Sequence, residues 1–428
     1  MTTRSPWAWV PSLYFAQGLP YVTVMSLSVV LYKNLGISNT DIALYTSWLY
    51  LPWVLKPLWS PLAELFGTKR AWIAVLQFFV GAALAGVALT IPTDKAFQLS
   101  LAVLWLMAFA SASHDIAADG YYMLALPQHS QAAFVGVRST FYRLANITGQ
   151  GALVYLAGEL TERTGSVVTA WNWVFWGLAA LFAALAAWHA FVLPRPASDV
   201  RGAGSGAARG LVAEFFAVFA SFFKKPGIAV TLGFLLLYRF PEAQLLKLAS
   251  PFLLDPVEQG GLGLSTKAVG IAYGTVGLIA LTVGGLVGGW IISRIGLKRA
   301  LWPLVAAMHV PNVAFLLLAL THPTDLAVIS AALAVEQFGY GLGFTAYLMY
   351  MILVADGEKK TAHYAICTGF MALGMMIPGM WSGWLQDHIG YVPFFGWVLV
   401  ATLPSVVMAA LIKVPDGFGM KKVEGDTP

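Results

Sequence analysis

The sequence predicts an all-α integral membrane protein whose twelve transmembrane helices form two pseudo-symmetric six-helix bundles. Three observations carry this expectation. Of 428 residues, 59% are hydrophobic and only 11% are charged, against about 25% charged in soluble domains. The mean hydropathy of +0.74 is more apolar surface than an aqueous fold can bury. Finally, motifs of the first half return in the second at one fixed offset.

A membrane helix needs about 20 mostly apolar residues. Such stretches fall near 8–32, 41–64, 71–91, 98–126, 131–158 and 168–193, numbered spans 1 to 6. Spans 7 to 12 fall near 227–252, 267–293, 299–320, 325–354, 360–385 and 392–413. The start "MTTRSPWAW" runs straight into a full-length span and does not read as a cleavable signal. Between the sets, "PRPASDVRGAGSGAARG" reads as a flexible linker at the membrane surface. The expected organisation is a first bundle at 1–194, a linker at 195–225, a second bundle at 226–414 and a tail at 415–428.

Lysine and arginine set the orientation. With the N-terminus inside, 16 of the 25 lie in cytoplasmic segments, 4 lie on the opposite side and 5 lie within spans. Both termini are therefore expected in the cytoplasm. The single cysteine, Cys367, excludes an intrachain disulfide and a cysteine-rich metal site. No metal or cofactor is expected. The absence of a dense basic face argues against nucleic acid.

"SPLAELFGTKR" (60–70) follows span 2, and "GWIISRIGLKR" (289–299) follows span 8, 229 residues later. Both end in Gly-x-Lys-Arg. The same offset aligns "QAAFVGVRSTF" (131–141) with "KTAHYAICTGF" (360–370). A duplicated six-helix unit leaves this mark. Six plus six spans, a central linker and basic turns after spans 2 and 8 resemble the major facilitator superfamily. In its loop pattern, Gly-x-x-x-Asp-Arg-x-Gly-Arg-Arg, Glu64 and Ser293 stand at the acidic position. The second copy keeps Gly289, Arg294, Gly296, Lys298 and Arg299, and the first is degenerate.

A charge at mid-bilayer costs at least ~2.5–3.5 kcal/mol, so charged residues within spans need a partner or a watery cavity. In "SASHDIAADGYY" (111–122), Asp115 and Asp119 are four apart and share a face of span 4. The short turn "LPQHSQ" makes spans 4 and 5 antiparallel, so residues equidistant from it match in depth. Asp119 matches Arg138, and Asp115 matches Arg143. Each carboxylate is expected to neutralise an arginine on span 5, with Asp119–Arg138 the structural ion pair. Ser139, Arg143, Asn146 and Gln150 form a polar stripe on span 5. Span 1 carries Tyr14, Gln17 and Tyr21 around a Gly-Leu-Pro break, and span 2 carries Lys56. Span 7 carries Arg239 and Glu242 around Pro241, where the helix must bend or open. Span 10 carries Glu336 and Tyr340 beside Gly339, Gly341 and Gly343, which permit close packing.

The motifs "LKPLWSPLAE", "SASHDIAADGYYMLALP", "FYRLANITGQG", "LYRFPEAQ" and "VEQFGYGLGFTAY" resemble the AmpG-type muropeptide permeases of the peptide–acetyl-coenzyme A transporter family. The resemblance runs from span 1 to span 11. It implies proton-driven import of anhydro-muropeptides across the bacterial inner membrane, with protons and a muropeptide-like solute as the partners. It makes Asp115, Asp119, Lys56, Arg143 and Glu336 the coupling and substrate candidates. Tyr14, Gln17, Tyr21, Tyr122, Asn146, Gln150, Arg239, Glu242 and Tyr340 complete the expected cavity set. The family pattern has Gln before the first span-4 Asp, where this chain has His114. The family also includes siderophore and acetyl-coenzyme A carriers.

The expected function is a proton symporter, acting as a monomer and not an enzyme. Alternatives are another carrier of the same family, a lipid flippase or a non-transporting membrane sensor. A further alternative is a membrane acyltransferase using His114 and Asp119 at His-x-x-x-x-Asp spacing. On a helix, five steps separate those side chains by about 140°, which argues against it. As proton carrier, Glu336 comes first and Asp115 second. Burial favours a protonated acid and a nearby cation opposes it, and Glu336 has no basic residue on its own helix.

Overall fold

The computed structural model describes residues 4–59, 67–197, 199, 216–357 and 360–420. Glu64, linker residues 200–215, Lys359, Lys421 and Lys422 lie outside the described residues. Helices occupy all twelve predicted positions. Nine of them, among the described residues, are long and apolar enough to cross a membrane, and Phe216–Phe223 with Ile228–Leu254 adds a bent pair. The all-α membrane class expected from composition is the class observed.

The helices cluster into two compact units. Unit 1 comprises Met1–Ala217 with Ser265–Gly270, and unit 2 comprises Val218–Leu264 with Ile271–Pro428. The packing inside each repeats. Span 1 lies along span 5, and span 3 lies along spans 4 and 6. Likewise span 7 lies along span 11, and span 9 along span 10. Trp9, Leu13, Ile73, Ala117 and Tyr121 belong to the core of unit 1. Phe234, Tyr238, Leu304, Met308 and Tyr347 belong to that of unit 2.

Glycines set the closest approaches. A methyl on Gly18 would meet Ala145 Cβ at 2.9 Å, and one on Gly149 would meet Val22 Cγ1 at 2.2 Å, which fixes spans 1 and 5 together. On span 10, Gly339 and Gly343 face Ala307 and Met308 of span 9, while Gly341 faces Leu281 of span 8. The glycine run thus serves two neighbours at once.

Several spans are interrupted where their sequences weaken helical hydrogen bonding. Span 1 holds Pro20 inside Val10–Val22 and continues through a π-helical turn, Thr23–Leu27. Proline removes a backbone donor, and the wider turn accommodates the mismatch. Span 2 is two helices, Asn39–Trp48 and Leu51–Trp59. Span 5 contains the π-turn Thr148–Leu153. Span 7 breaks between Ile228–Leu237 and Phe240–Leu254, before Pro241.

The basic turns are held in parallel ways. After span 6, Asp199 accepts hydrogen bonds from the backbone N–H of Lys69 at 2.8 Å and of Arg70 at 3.0 Å. A carboxylate at a helix N-terminus satisfies orphan donors and suits the helix dipole. After span 12, Phe418 O accepts from Leu297 N–H at 2.8 Å, and Asp416 meets Lys298 at 2.8 Å. Within unit 1, Lys267 reaches Glu159 at 2.5 Å and Glu162 at 3.4 Å, while Gly158 lets the two backbones touch.

Candidate functional site: buried charges in each unit

In unit 1 the span-4 carboxylates take separate partners. Asp119 Oδ1 accepts from Arg138 Nη2 at 2.9 Å and from the Tyr14 hydroxyl at 3.1 Å. The Arg138 guanidinium also lies over the rings of Tyr14, 4.5 Å away, and Tyr122, 5.1 Å away. Cation–π contact and ion pairing together hold this arginine. The depth match on spans 4 and 5 thus corresponds to a contact here.

For Asp115 the expected arginine partner is a correction. Its Oδ2 accepts from Lys56 Nζ at 3.4 Å and from Trp53 Nε1 at 3.1 Å, both on span 2. Among the described residues, Arg143 has no acidic partner within 4 Å. Depth alone does not fix azimuth: span 5 packs chiefly against span 1 rather than span 4, so Arg143 is turned from Asp115. Asp115 is 8% exposed, and its Oδ1 has no hydrogen-bond partner.

His114, next in sequence, points away from both carboxylates. Its Nε2 lies 2.9 Å from Gln77 Nε2, and Gln77 Oε1 lies 2.7 Å from His189 Nδ1. His189 Nε2 in turn lies 2.9 Å from Ser12 Oγ. This buried chain ties spans 1, 3, 4 and 6. Because His114 and Asp119 have separate partners on separate faces, no acyltransferase pair forms.

Of the remaining unit-1 candidates, Tyr21 approaches Asp115 through Trp53. Tyr21 packs edge-on against Trp53, with centroids 5.2 Å apart, and near Tyr142. Asn146 Nδ2 donates to Tyr142 O at 2.9 Å. Gln17 is buried, with an unpartnered Oε1. Gln150 lies in the π-turn, so the regular stripe from Ser139 loses its phase there.

In unit 2, Arg239 donates to the Tyr340 hydroxyl and lies over the rings of Tyr340 and Phe344. Glu242, expected to line the cavity, is instead 1% exposed, and its Oε1 lies 2.7 Å from His309 Nδ1. His309 Nε2 lies 2.6 Å from Ser405 Oγ. The Pro241 break turns Glu242 inward, toward span 9. Glu336 is also 1% exposed. Gln337 Nε2 donates to its Oε2 at 2.9 Å, and its Oε1 has no hydrogen-bond partner. Among the described residues no cation lies within 4 Å of it.

The sequence reading missed Trp53, Gln77, His189, His309 and Ser405. Their signal was weak but present, since Gln77, His189 and His309 are isolated polar residues in otherwise apolar spans, each needing a partner.

Two bundles of membrane helices enclosing buried ionisable groups define a solute carrier rather than an enzyme. The comparisons agree. The chain belongs to the Major Facilitator Superfamily, whose profile matches residues 12–378, and it is a secondary transporter. It is similar to the anhydromuropeptide permease of Escherichia coli (strain K12), with 26% identity across 92% of this chain and 77% of that one. Among solved structures, it resembles the nucleoside transporter NupG with a TM-score of 0.65 at 17% identity, covering 96% of this chain and 98% of that one. It also resembles a POT family transporter solved with 5-aminolevulinic acid, with a TM-score of 0.68 at 12% identity and 94% coverage of both chains. These structures establish the fold alone.

Proposed function

We propose that this chain is a proton-coupled symporter that imports a cell-wall-derived muropeptide across the bacterial inner membrane. The observation that carries the coupling is Glu336, a fully buried carboxylate with one unpartnered oxygen and, among the described residues, no cation within 4 Å. A buried anion without a counter-charge is costly enough that such a site is suited to receive a proton. Asp115, braced by Lys56 and Trp53, is the second candidate. The substrate reading rests on the motif resemblance together with the name of the E. coli relative.

In this reading Tyr14, Gln17, Tyr21, Lys56, Tyr122, Arg143, Asn146, Gln150, Arg239 and Tyr340 supply the substrate surface. Asp119 and Arg138 hold spans 4 and 5 in register. The bundles run 1–194 and 226–414, joined by a cytoplasmic linker, with both termini in the cytoplasm, and the carrier works as a monomer. A proton first neutralises a mid-membrane carboxylate, and substrate then binds. Together they favour the inward-open state, which they shift only through differential affinity.

Uptake into proteoliposomes of a panel (a muropeptide, a siderophore and a coenzyme A thioester), with and without an acidic exterior, tests this. Muropeptide alone should accumulate, and only with the gradient. Gradient-independent accumulation, or preference for another member of the panel, would overturn it.

A further inference from the structure

In unit 2 one imidazole closes a buried chain across spans 7, 9 and 12. Glu242 Oε1 and His309 Nδ1 are 2.7 Å apart, and His309 Nε2 and Ser405 Oγ are 2.6 Å apart. The three residues are 1%, 5% and 0% exposed. The geometry has the outline of a hydrolase triad, but a hydroxyl with no exposure cannot reach a substrate. Its partners point elsewhere.

With Glu242 ionised, the carboxylate accepts only, and His309 Nδ1 carries the hydrogen between them. That leaves Nε2 as the variable atom. In one state Nε2 is bare and accepts the Ser405 hydroxyl hydrogen. In the other, Nε2 has gained a proton and donates it to Ser405 Oγ, whose own hydroxyl hydrogen then points away from the ring. Both ring nitrogens stay satisfied, and the imidazolium is balanced by the carboxylate it already touches. One proton arrives on the Nε2 lone pair, and no other bond breaks.

The chain in unit 1 lacks these properties. Ser12, His189, Gln77 and His114 are linked by distances of 2.9, 2.7 and 2.9 Å, but among the described residues no carboxylate accepts from either ring. The Gln77 oxygen is taken by His189, so its NH2 group faces His114 Nε2. A proton at His114 Nε2 would set donor against donor, and one on either histidine would be a buried charge without a partner. That chain ties helices and stores nothing.

We propose that Glu242, His309 and Ser405 form a second proton-binding site of this carrier, with the added proton on His309 Nε2. The proposal rests on the proton-coupled reading above. The groups facing the chain are Tyr238, whose ring centre lies 5.9 Å from that of His309, Arg239 at the span-7 break, and Glu336 and Tyr340 on span 10, both within electrostatic reach of Glu242. Glu242 Oε2 has no hydrogen-bond partner, and it is the oxygen left over while Oε1 holds His309. Glu242 follows Pro241, where span 7 is interrupted, so a change of charge here acts at the point where that span is free to bend.

The test is infrared titration of the full chain in liposomes, with histidine ring nitrogens isotopically labelled, between about pH 5 and 8. Subtracting His309→Gln from the parent should leave one histidine protonation signal. Glu242→Gln should abolish that signal, because the imidazolium loses its counter-charge. Ser405→Ala, which keeps imidazole and acid, should retain it. Superimposable titrations of the parent and His309→Gln would overturn the proposal. If His309→Gln does not fold, Glu242→Gln decides: an unchanged histidine signal overturns the site. None of these readouts needs substrate. A parent that fails to accumulate muropeptide on a pH gradient therefore counts against the proposed function, while a missing histidine signal counts against this site.

Discussion

Asp119 and Asp115 show what a single residue's neighbours decide. Asp119 meets Arg138 at 2.9 Å, but their side chains are 39% and 31% exposed. Exposed pairs contribute about 0–1 kcal/mol, and breaking a buried one costs about 3–5 kcal/mol. A double-mutant cycle of Asp119→Asn and Arg138→Gln should therefore give a coupling of about 1–2 kcal/mol, read from unfolding in detergent. Additivity of the two substitutions would show that the contact contributes nothing. The pair was legible because a short turn fixes relative depth. The Asp115 partner was not, because depth says nothing about rotation, and Lys56 lies 59 residues away in sequence. The histidine chains were illegible for the same reason: His309 and Ser405 lie 96 residues apart, and no local spacing links them.

At the scale of elements, the positions of the helices were legible in hydropathy, and their interruptions only in part. Pro241 announced the break in span 7, while the π-turns Thr148–Leu153 and Gly270–Gly277 had no marker beyond glycine content. Span 10 gives the sharpest prediction. A side chain at Gly341 would start 2.2 Å from Leu281 O, and one at Gly339 would start 2.1 Å from Ala307 O. Backbone cannot yield as a flexible side chain does. Gly341→Leu should destabilise unit 2 by more than the ~1–3 kcal/mol typical of overpacking and sharply lower the folded yield. Gly289→Ala, whose new methyl would meet only Thr345 Cγ2 at 4.0 Å, should behave as the parent. Equal yields from both variants would refute the close-packing account of span 10.

Over the whole molecule, duplication and charge bias are the features that reach furthest. The 229-residue repeat seen in the turns has its counterpart in like packing within each unit and in acids that follow the sixth helix of each, Asp199 and Asp416. The 16-to-4 bias of basic residues leads to a topological prediction. Ser205→Cys should react with a membrane-impermeant thiol reagent only after the cells are opened. The native Cys367 is buried and should stay silent. Labelling of Ser205→Cys in intact cells would reverse the orientation. What neither half of the sequence could say is which of several buried acids couples transport, because that depends on which acid is left without a cation after folding.

The most direct measurement is therefore made on Glu336→Gln in proteoliposomes, comparing pH-gradient-driven muropeptide accumulation with substrate exchange at equal pH. Glutamine keeps the shape and hydrogen-bonding of the protonated acid but cannot release a proton. Accumulation should be lost while exchange persists near the parent's rate. Accumulation by Glu336→Gln with the parent's pH dependence would contradict it and move the coupling role to Asp115.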